Sequence, residues 1–250
     1  MVRLKEYSRF ELKYVITEAQ HKQLAEAFQE YMQPDTMGDA LGRYSITSLY
    51  YDTVDYQAYW DKVEGHKFRR KVRVRVYGNQ AVTAETLCFA EIKQRINKTL
   101  QKKRVRIPYA SAIALCGAGQ SVDMAATYEQ AVIEEIQYLY YTLQLQPACV
   151  VSYDRQAFNG SEYDPGLRVT FDVNLKGRTH DLSLLSFGNA ESKFFVPPGY
   201  CIMEVKVNYR VPLWLTDIIA EYRCTLRRVS KYCAALEQSK ELLQTQRIFV

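Results

Sequence analysis

Three short segments set a carboxylate and an ammonium two residues apart: Glu11-Leu12-Lys13, Glu91-Ile92-Lys93 and Glu204-Val205-Lys206. On a β-strand, positions i and i+2 share a face, so each segment puts an anion beside a cation on one surface. A divalent cation and a phosphate can both be held by such a pair. Two further runs, Arg73-Val74-Arg75-Val76 and Lys102-Lys103-Arg104-Val105-Arg106, add cations in the same register. Between Lys67 and Arg106 lie thirteen of the chain's 33 Lys and Arg residues against two acids, Glu85 and Glu91. The rest of the chain nets minus six, so the overall charge of +5 hides a local concentration of positive charge. Such a surface needs an anion.

The elements that must position these residues read as strands with charge on one face and apolar residues on the other. Val72, Val74 and Val76 oppose Lys71, Arg73 and Arg75, and Val169 and Phe171 oppose Arg168, Thr170 and Asp172. An antiparallel sheet with one solvated face is the plainest source of this alternation, and cross-strand ion pairs worth ~0.2 to 1 kcal/mol each are the plainest use of the acids. Neither accounts for the excess of cations, because like charges on neighbouring strands repel. The alternative is a closed or nearly closed antiparallel barrel with a charged interior and helices packed on its apolar exterior.

Strands are expected over Arg9–Ile16, Tyr44–Asp52, Lys67–Tyr77, Leu87–Asn97, Leu100–Ile107, Ala148–Phe158, Leu167–Asn174 and Tyr200–Val207. Thr17 to Gln20 fits a capping box that starts a helix directly after the first strand. A short helical turn is expected over Val54–Trp60. A long amphipathic helix is expected over Asp123–Leu143, and two more helices over Leu213–Tyr222 and about Val229–Leu243. No repeat or Pro/Gly/Ser-rich linker interrupts the chain, so residues 1–250 read as one α+β domain.

With 250 residues, 48% of them hydrophobic, the chain is long enough to bury a substantial core. Six cysteines with no CxxC pair and three scattered histidines argue against a zinc site and a disulfide framework. The N-terminus is charged throughout and no apolar run approaches the roughly 20 residues of a spanning helix. A soluble, cytoplasmic protein is the expectation.

Taken in order, Glu11 and Lys13, the run Arg73 to Gly78, Glu91 to Lys93, Tyr153 to Arg155, Leu167 to Asp172, Met203 to Lys206 and Val229 to Tyr232 resemble the motifs of the VTC domain. That is the catalytic domain of the vacuolar transporter chaperone polyphosphate polymerases, a branch of the CYTH-like triphosphate tunnel metalloenzymes. The similarity runs from about Tyr7 to Leu236. It implies an antiparallel barrel around a basic tunnel, and transfer of the γ-phosphate of ATP onto inorganic polyphosphate, assisted by Mn²⁺ or Mg²⁺.

By the same resemblance, Lys13, Arg73, Arg75, Lys93, Lys102, Arg104, Arg155 and Arg168 correspond to phosphate-gripping cations, with Lys206 beside them. Tyr153 and Ser230 correspond to hydroxyl contacts, and Arg228 and Lys231 to cations on the last helix. Glu204 corresponds to the principal metal-binding carboxylate, with Asp172, Glu91 and Glu11 as helpers through water. The chain departs from the wider superfamily at Arg9, where E-x-E-x-K would have its first glutamate, a loss that favours the polymerase branch over the hydrolytic one. The regulatory SPX domain and the membrane helices of the fungal subunits have no counterpart in the sequence, so any channel is expected to be a separate membrane protein.

ATP and polyphosphate or triphosphate are therefore the expected ligands, with a terminal phosphate of the acceptor chain as nucleophile and no general base required. Two alternatives remain. One is a tripolyphosphatase or nucleoside triphosphatase in which Glu11 or Glu91 orients water, and the other is a non-catalytic polyphosphate-binding module. No nucleic-acid partner is expected, because the cations read as facing inward and a pI near 8.7 gives no basic exterior stripe.

Overall fold

The computed structural model describes residues 10–97, 99–124, 126–185 and 191–239. Their centre is one antiparallel ten-stranded sheet. Its strands are β1 (Phe10–Thr17), β2 (Met32–Pro34), β3 (Arg43–Asp52), β4 (Phe68–Tyr77), β5 (Leu87–Ile96), β6 (Thr99–Pro108), β7 (Gln146–Gly160), β8 (Arg168–Arg178), β9 (Lys193–Phe194) and β10 (Tyr200–Val207). The main path runs β1-β10-β8-β7-β3-β4-β5-β6, with β2 added on β7 and β9 on β8.

The valines of β4 and their neighbours Ile92 and Val105 lie on the outer face. They are covered by α3 (Tyr109–Ala118) and α4 (Thr127–Leu143), whose Ile133, Ile136 and Leu139 are buried against them. At the other end of the sheet, Phe171, Met203 and Val205 are covered by α1 (Glu18–Ala27) and α5 (Leu213–Glu221) through Leu24 and Leu215. The capping box is present: Thr17 N donates to Gln20 Oε1 at 2.8 Å and Gln20 N to Thr17 Oγ1 at 3.2 Å. The strand thus turns into α1 without a linker.

With the apolar face on the outside, the charged face lines the concave side, as the alternation requires. The barrel expected from the sequence is nevertheless not closed. β1 and β6 end the path, and no ladder joins them among the described residues. The outer edge of β1 is occupied in another way: Tyr14 bridges to Leu226, and Arg227 N donates to Lys13 O at 2.7 Å. The sheet still curls far enough for Lys93 on β5 to reach Glu11 on β1 at 3.5 Å.

One end of the concave side is capped by α6 (Lys231–Ser239), whose Tyr232, Ala235 and Leu236 pack on Ile46, Val151, Leu175 and Ile202. Gly177 on β8 makes that approach feasible, since a Cβ there would stand 2.6 Å from the Cβ of Ala235. Asp52, at the end of β3, accepts from the backbone N–H groups of Ala58 and Tyr59 at the start of α2 (Gln57–Val63) and from the Tyr232 hydroxyl. A single buried carboxylate therefore ties α2 and α6 to the sheet.

Several element limits differ from expectation. The short helix lies at Gln57–Val63 rather than Val54–Trp60, α4 begins at Thr127 rather than Asp123, and α6 begins at Lys231 rather than Val229. Helix α3 was not expected at all. Arg9 and residues 240–243 lie outside the described residues. The six cysteines are unpaired, and five of them are buried. Among the described residues, no helix is long and apolar enough to cross a membrane.

Candidate functional site

Period-two alternation on six strands of the sheet brings most of the predicted residues onto one concave surface. β1 supplies Glu11 and Lys13, β10 supplies Glu204 and Lys206, and β8 supplies Asp172. β7 contributes Tyr153 and Arg155, β4 contributes Arg73 and Arg75, and β5 contributes Glu91 and Lys93. Lys231 enters from the first residue of α6.

Glu204 is the hub. It is 5% exposed, and its Oε1 accepts from Lys231 Nζ at 2.6 Å and faces Lys13 Nζ at 3.2 Å. Its Oε2 accepts from Lys206 Nζ at 3.0 Å and lies 3.9 Å from Arg155. Burial pushes this carboxyl upward, but Lys13, Lys231, Lys206 and Arg155 outweigh it and hold it well below the usual carboxylate range. Asp172 takes a fork from Arg155, at 2.7 and 2.9 Å, and shares Lys231 Nζ at 2.6 Å. Glu11 sits between Lys13 at 2.9 Å and Lys93 at 3.5 Å.

Across the interior, Glu91 is fully buried and takes Arg73 Nε and a terminal guanidinium nitrogen, both at 2.7 Å, on one oxygen. Burial raises its carboxyl, but Arg73, Arg75 and Lys102 bring it down to about 2. Its other oxygen has no hydrogen-bond partner and lies 3.8 Å from Lys102. Arg75 is unlike the other buried cations. It is 6% exposed and is held by Ser48 Oγ at 3.0 Å and Tyr153 Oη at 3.2 Å, with no carboxylate within ion-pair distance among the described residues. The crowding of cations is felt elsewhere too. Partial desolvation, together with the neighbouring arginines, lowers the half-exposed Lys102 and the more enclosed Lys206 ammoniums to about 8.

Other predicted residues are placed differently. Arg168 on β8 is tied away from the hub, to Asp35, Tyr44 and Asn159. Arg104 is exposed at the open β6 edge with its guanidinium over Phe89. Arg228 is exposed on the segment before α6 and so is not on the last helix. Ser230 also precedes α6, where its Oγ accepts from Lys71 Nζ at 3.5 Å.

Sequence reasoning missed the uncharged wall on β3. Ser48 holds Arg75, and the Tyr50 hydroxyl accepts from Arg73 at 2.9 Å. Burial alone would raise the Tyr50 phenol, but Arg73 and Arg75 bring it down to about 8. Their signal was present: Tyr44, Ile46, Ser48 and Tyr50 alternate on one face, but carry no charge to mark it.

Four carboxylates were candidates for a divalent metal, and the arrangement does not fit one. Every one of them faces at least one cation within ion-pair distance. Among the described residues no group of three or more His, Cys, Asp or Glu side chains could hold a metal ion. Oxygen-rich coordination of a hard dication requires the opposite. The interior is instead filled by its own ion pairs. Cavities of about 300 Å³ beside α2 and about 530 Å³ beside α3 are lined by none of the candidate residues.

A family model described as the VTC domain matches residues 8–240. Among solved structures, a candidate adenylate cyclase from Bacillus halodurans is similar at 12% identity and a TM-score of 0.54, over 89% of this chain and 95% of that one. The PH1819 protein of Pyrococcus horikoshii OT3 aligns at 13% identity and a TM-score of 0.47, over 92% of this chain and 99% of that one. At 12% identity the likeness to the first of these concerns the fold alone. No curated protein matches the chain in sequence.

Proposed function

The chain belongs to the VTC domain family, and from that premise we propose that its concave interior binds a chain of phosphates and transfers the γ-phosphate of ATP onto inorganic polyphosphate. The observation that carries the proposal is Arg75, a buried guanidinium with only neutral partners, next to Arg73 on the same strand face. A buried charge with no carboxylate in direct contact is costly, and a phosphate oxygen would supply the contact that the chain itself withholds. Phosphoryl transfer asks little covalent chemistry of a protein, so positioning and fixed charge can do most of the catalysis.

Arg73, Arg75 and Lys102 form one wall, and Lys13, Arg155, Lys206 and Lys231 the other, with Lys93 reaching toward Glu11 between them. In the proposed step a terminal phosphate oxygen of the acceptor forms a bond to the γ-phosphorus. The bond from that phosphorus to the β,γ-bridging oxygen breaks, and ADP leaves with the electron pair. The acceptor oxygen is already ionised, so no proton need move.

One observation favours a second reading, hydrolysis of triphosphate. The unpartnered, fully buried oxygen of Glu91 could accept a hydrogen bond from an attacking water. Incubating the protein with ATP and Mn²⁺ and resolving the products on a polyacrylamide gel separates the two. A ladder of long polyphosphate supports transfer, whereas orthophosphate alone supports hydrolysis and removes the polymerase reading.

A further inference from the structure

Lys231 stands where two carboxylates converge. Its Nζ is 2.6 Å from Asp172 Oδ2 and 2.6 Å from Glu204 Oε1, and it is buried. The remaining oxygens of the pair are also engaged: Asp172 Oδ1 by Arg155 at 2.7 Å, and Glu204 Oε2 by Lys206 at 3.0 Å. These two acids share a cation across adjacent strands, so this is the place where a dication would best bridge them, and an ammonium already bridges them. The ammonium is also well anchored. Lys231 begins α6, whose seat on β8 depends on Gly177, and the preceding Ser230 accepts from Lys71.

We infer that Lys231 is the resident cation of the Glu204–Asp172 pair, so that a divalent metal and this ammonium exclude one another there. The inference rests on the proposed binding of polyphosphate. A polyanion threading the interior offers oxygens to Lys231, Lys13 and Lys206 and draws them off Glu204. In the free protein, a dication would meet Lys13, Lys206, Lys231 and Arg155 around one carboxylate, and repulsion from four positive charges opposes it.

The test is a titration of Mn²⁺ into the free protein, followed by the electron paramagnetic resonance signal of aqueous Mn²⁺ and by the melting temperature. Wild type should bind more weakly than about 1 mM, the weak end of protein sites for hard dications, and its melting temperature should not move. Lys231→Ala and Lys231→Met leave the pair without its bridge, so either variant should bind Mn²⁺ at least about tenfold more tightly and regain melting temperature on its addition. Tight stoichiometric binding to free wild type would overturn the inference, as would variants that fold but gain no affinity. Should neither variant fold, the wild-type titration decides alone. A melt of wild type with tripolyphosphate in chelator separates the premise from the inference: no shift there removes the polyphosphate reading, whatever Mn²⁺ does.

Discussion

Replacing Arg75 by Met tests whether its charge serves the fold or a ligand. In the free protein the substitution removes repulsion from Arg73, two residues along the same strand face and therefore roughly 7 Å away. At an effective dielectric of 20 that repulsion is about 2 kcal/mol. Against it stand the hydrogen bonds to Ser48 and Tyr153, worth about 1 kcal/mol each. The two nearly cancel, so the free variant should melt within about 4 °C of wild type. With ligand the outcome differs. Tripolyphosphate at a hundred times its Kd should stabilise wild type by about 2.7 kcal/mol, or about 5 to 10 °C for a chain of this size. Losing charge-assisted hydrogen bonds of about 2 kcal/mol weakens binding about 30-fold. The same tripolyphosphate concentration is then only about three times Kd, and the stabilisation falls to about 0.8 kcal/mol, or roughly 2 to 3 °C. Differential scanning fluorimetry with and without tripolyphosphate reads both quantities. A variant that melts far below wild type when free, yet keeps the full ligand shift, would refute the reasoning and make Arg75 a structural residue.

Glu204→Gln removes the countercharge shared by Lys13, Lys206, Lys231 and Arg155. The free protein should lose about 3 to 5 kcal/mol, and tripolyphosphate should shift its melting temperature more than it shifts that of wild type. An unchanged melting temperature would mean that Glu204 is not the hub. Lys102 and Lys206, lowered to about 8, give two opposite pH trends. A bound polyanion favours both ammoniums, so affinity should fall as pH rises above about 8, by up to about tenfold per pH unit for each lysine. The free protein binds fewer protons at these lysines than its unfolded chain does, so its stability should rise between pH 8 and the ordinary lysine value of 10.5. Calorimetry and melts across that window would show either crossing trends or none, and a flat affinity profile counts against the shifts. Gly177→Ala places a methyl against Ala235. It should cost about 1 to 3 kcal/mol, whereas a neutral effect would show that α6 does not rest on β8 as described.

Alternation made the charged face legible because both of its determinants are local. Side chains two apart share a face, and valines opposite arginines say which face is dry. Tyr200–Val207 was therefore found at its observed limits. Barrel closure was not legible, since it depends on which backbone edges meet, and the β1 edge meets Leu226 and Arg227 instead. Helix α3 was hidden by composition. Tyr109 to Ala118 is a small apolar run without a polar face, and Pro108 reads as an end of structure although proline also suits the start of a helix. Arg168 alternates correctly on its strand, yet its partner Asp35 lies in a loop far away in sequence, and no periodicity reports such a contact. Ser48 and Tyr50 carry no charge to mark them in the sequence, yet their neutral hydroxyls are what hold Arg75 and Arg73 in place.

The acids on the concave face acquire a different meaning once their partners are known. From sequence they look like ligands for a metal. In the structure they accompany cations that would otherwise repel one another: Glu11 with Lys13 and Lys93, Glu91 with Arg73 and Lys102, and Asp172 and Glu204 with Arg155 and Lys231. This matching is incomplete, because Arg75 is left without an acid and Lys206 has only a share of Glu204. An interior built solely for stability would complete the matching or replace the pairs with apolar residues, which is often the more stable choice. Retaining buried pairs and leaving positive charge in excess on two facing walls suits a ligand whose negative charge is spread along a chain. The ion pairs keep the cations poised in the free protein, and exchanging their acids for phosphate oxygens lowers the cost of binding.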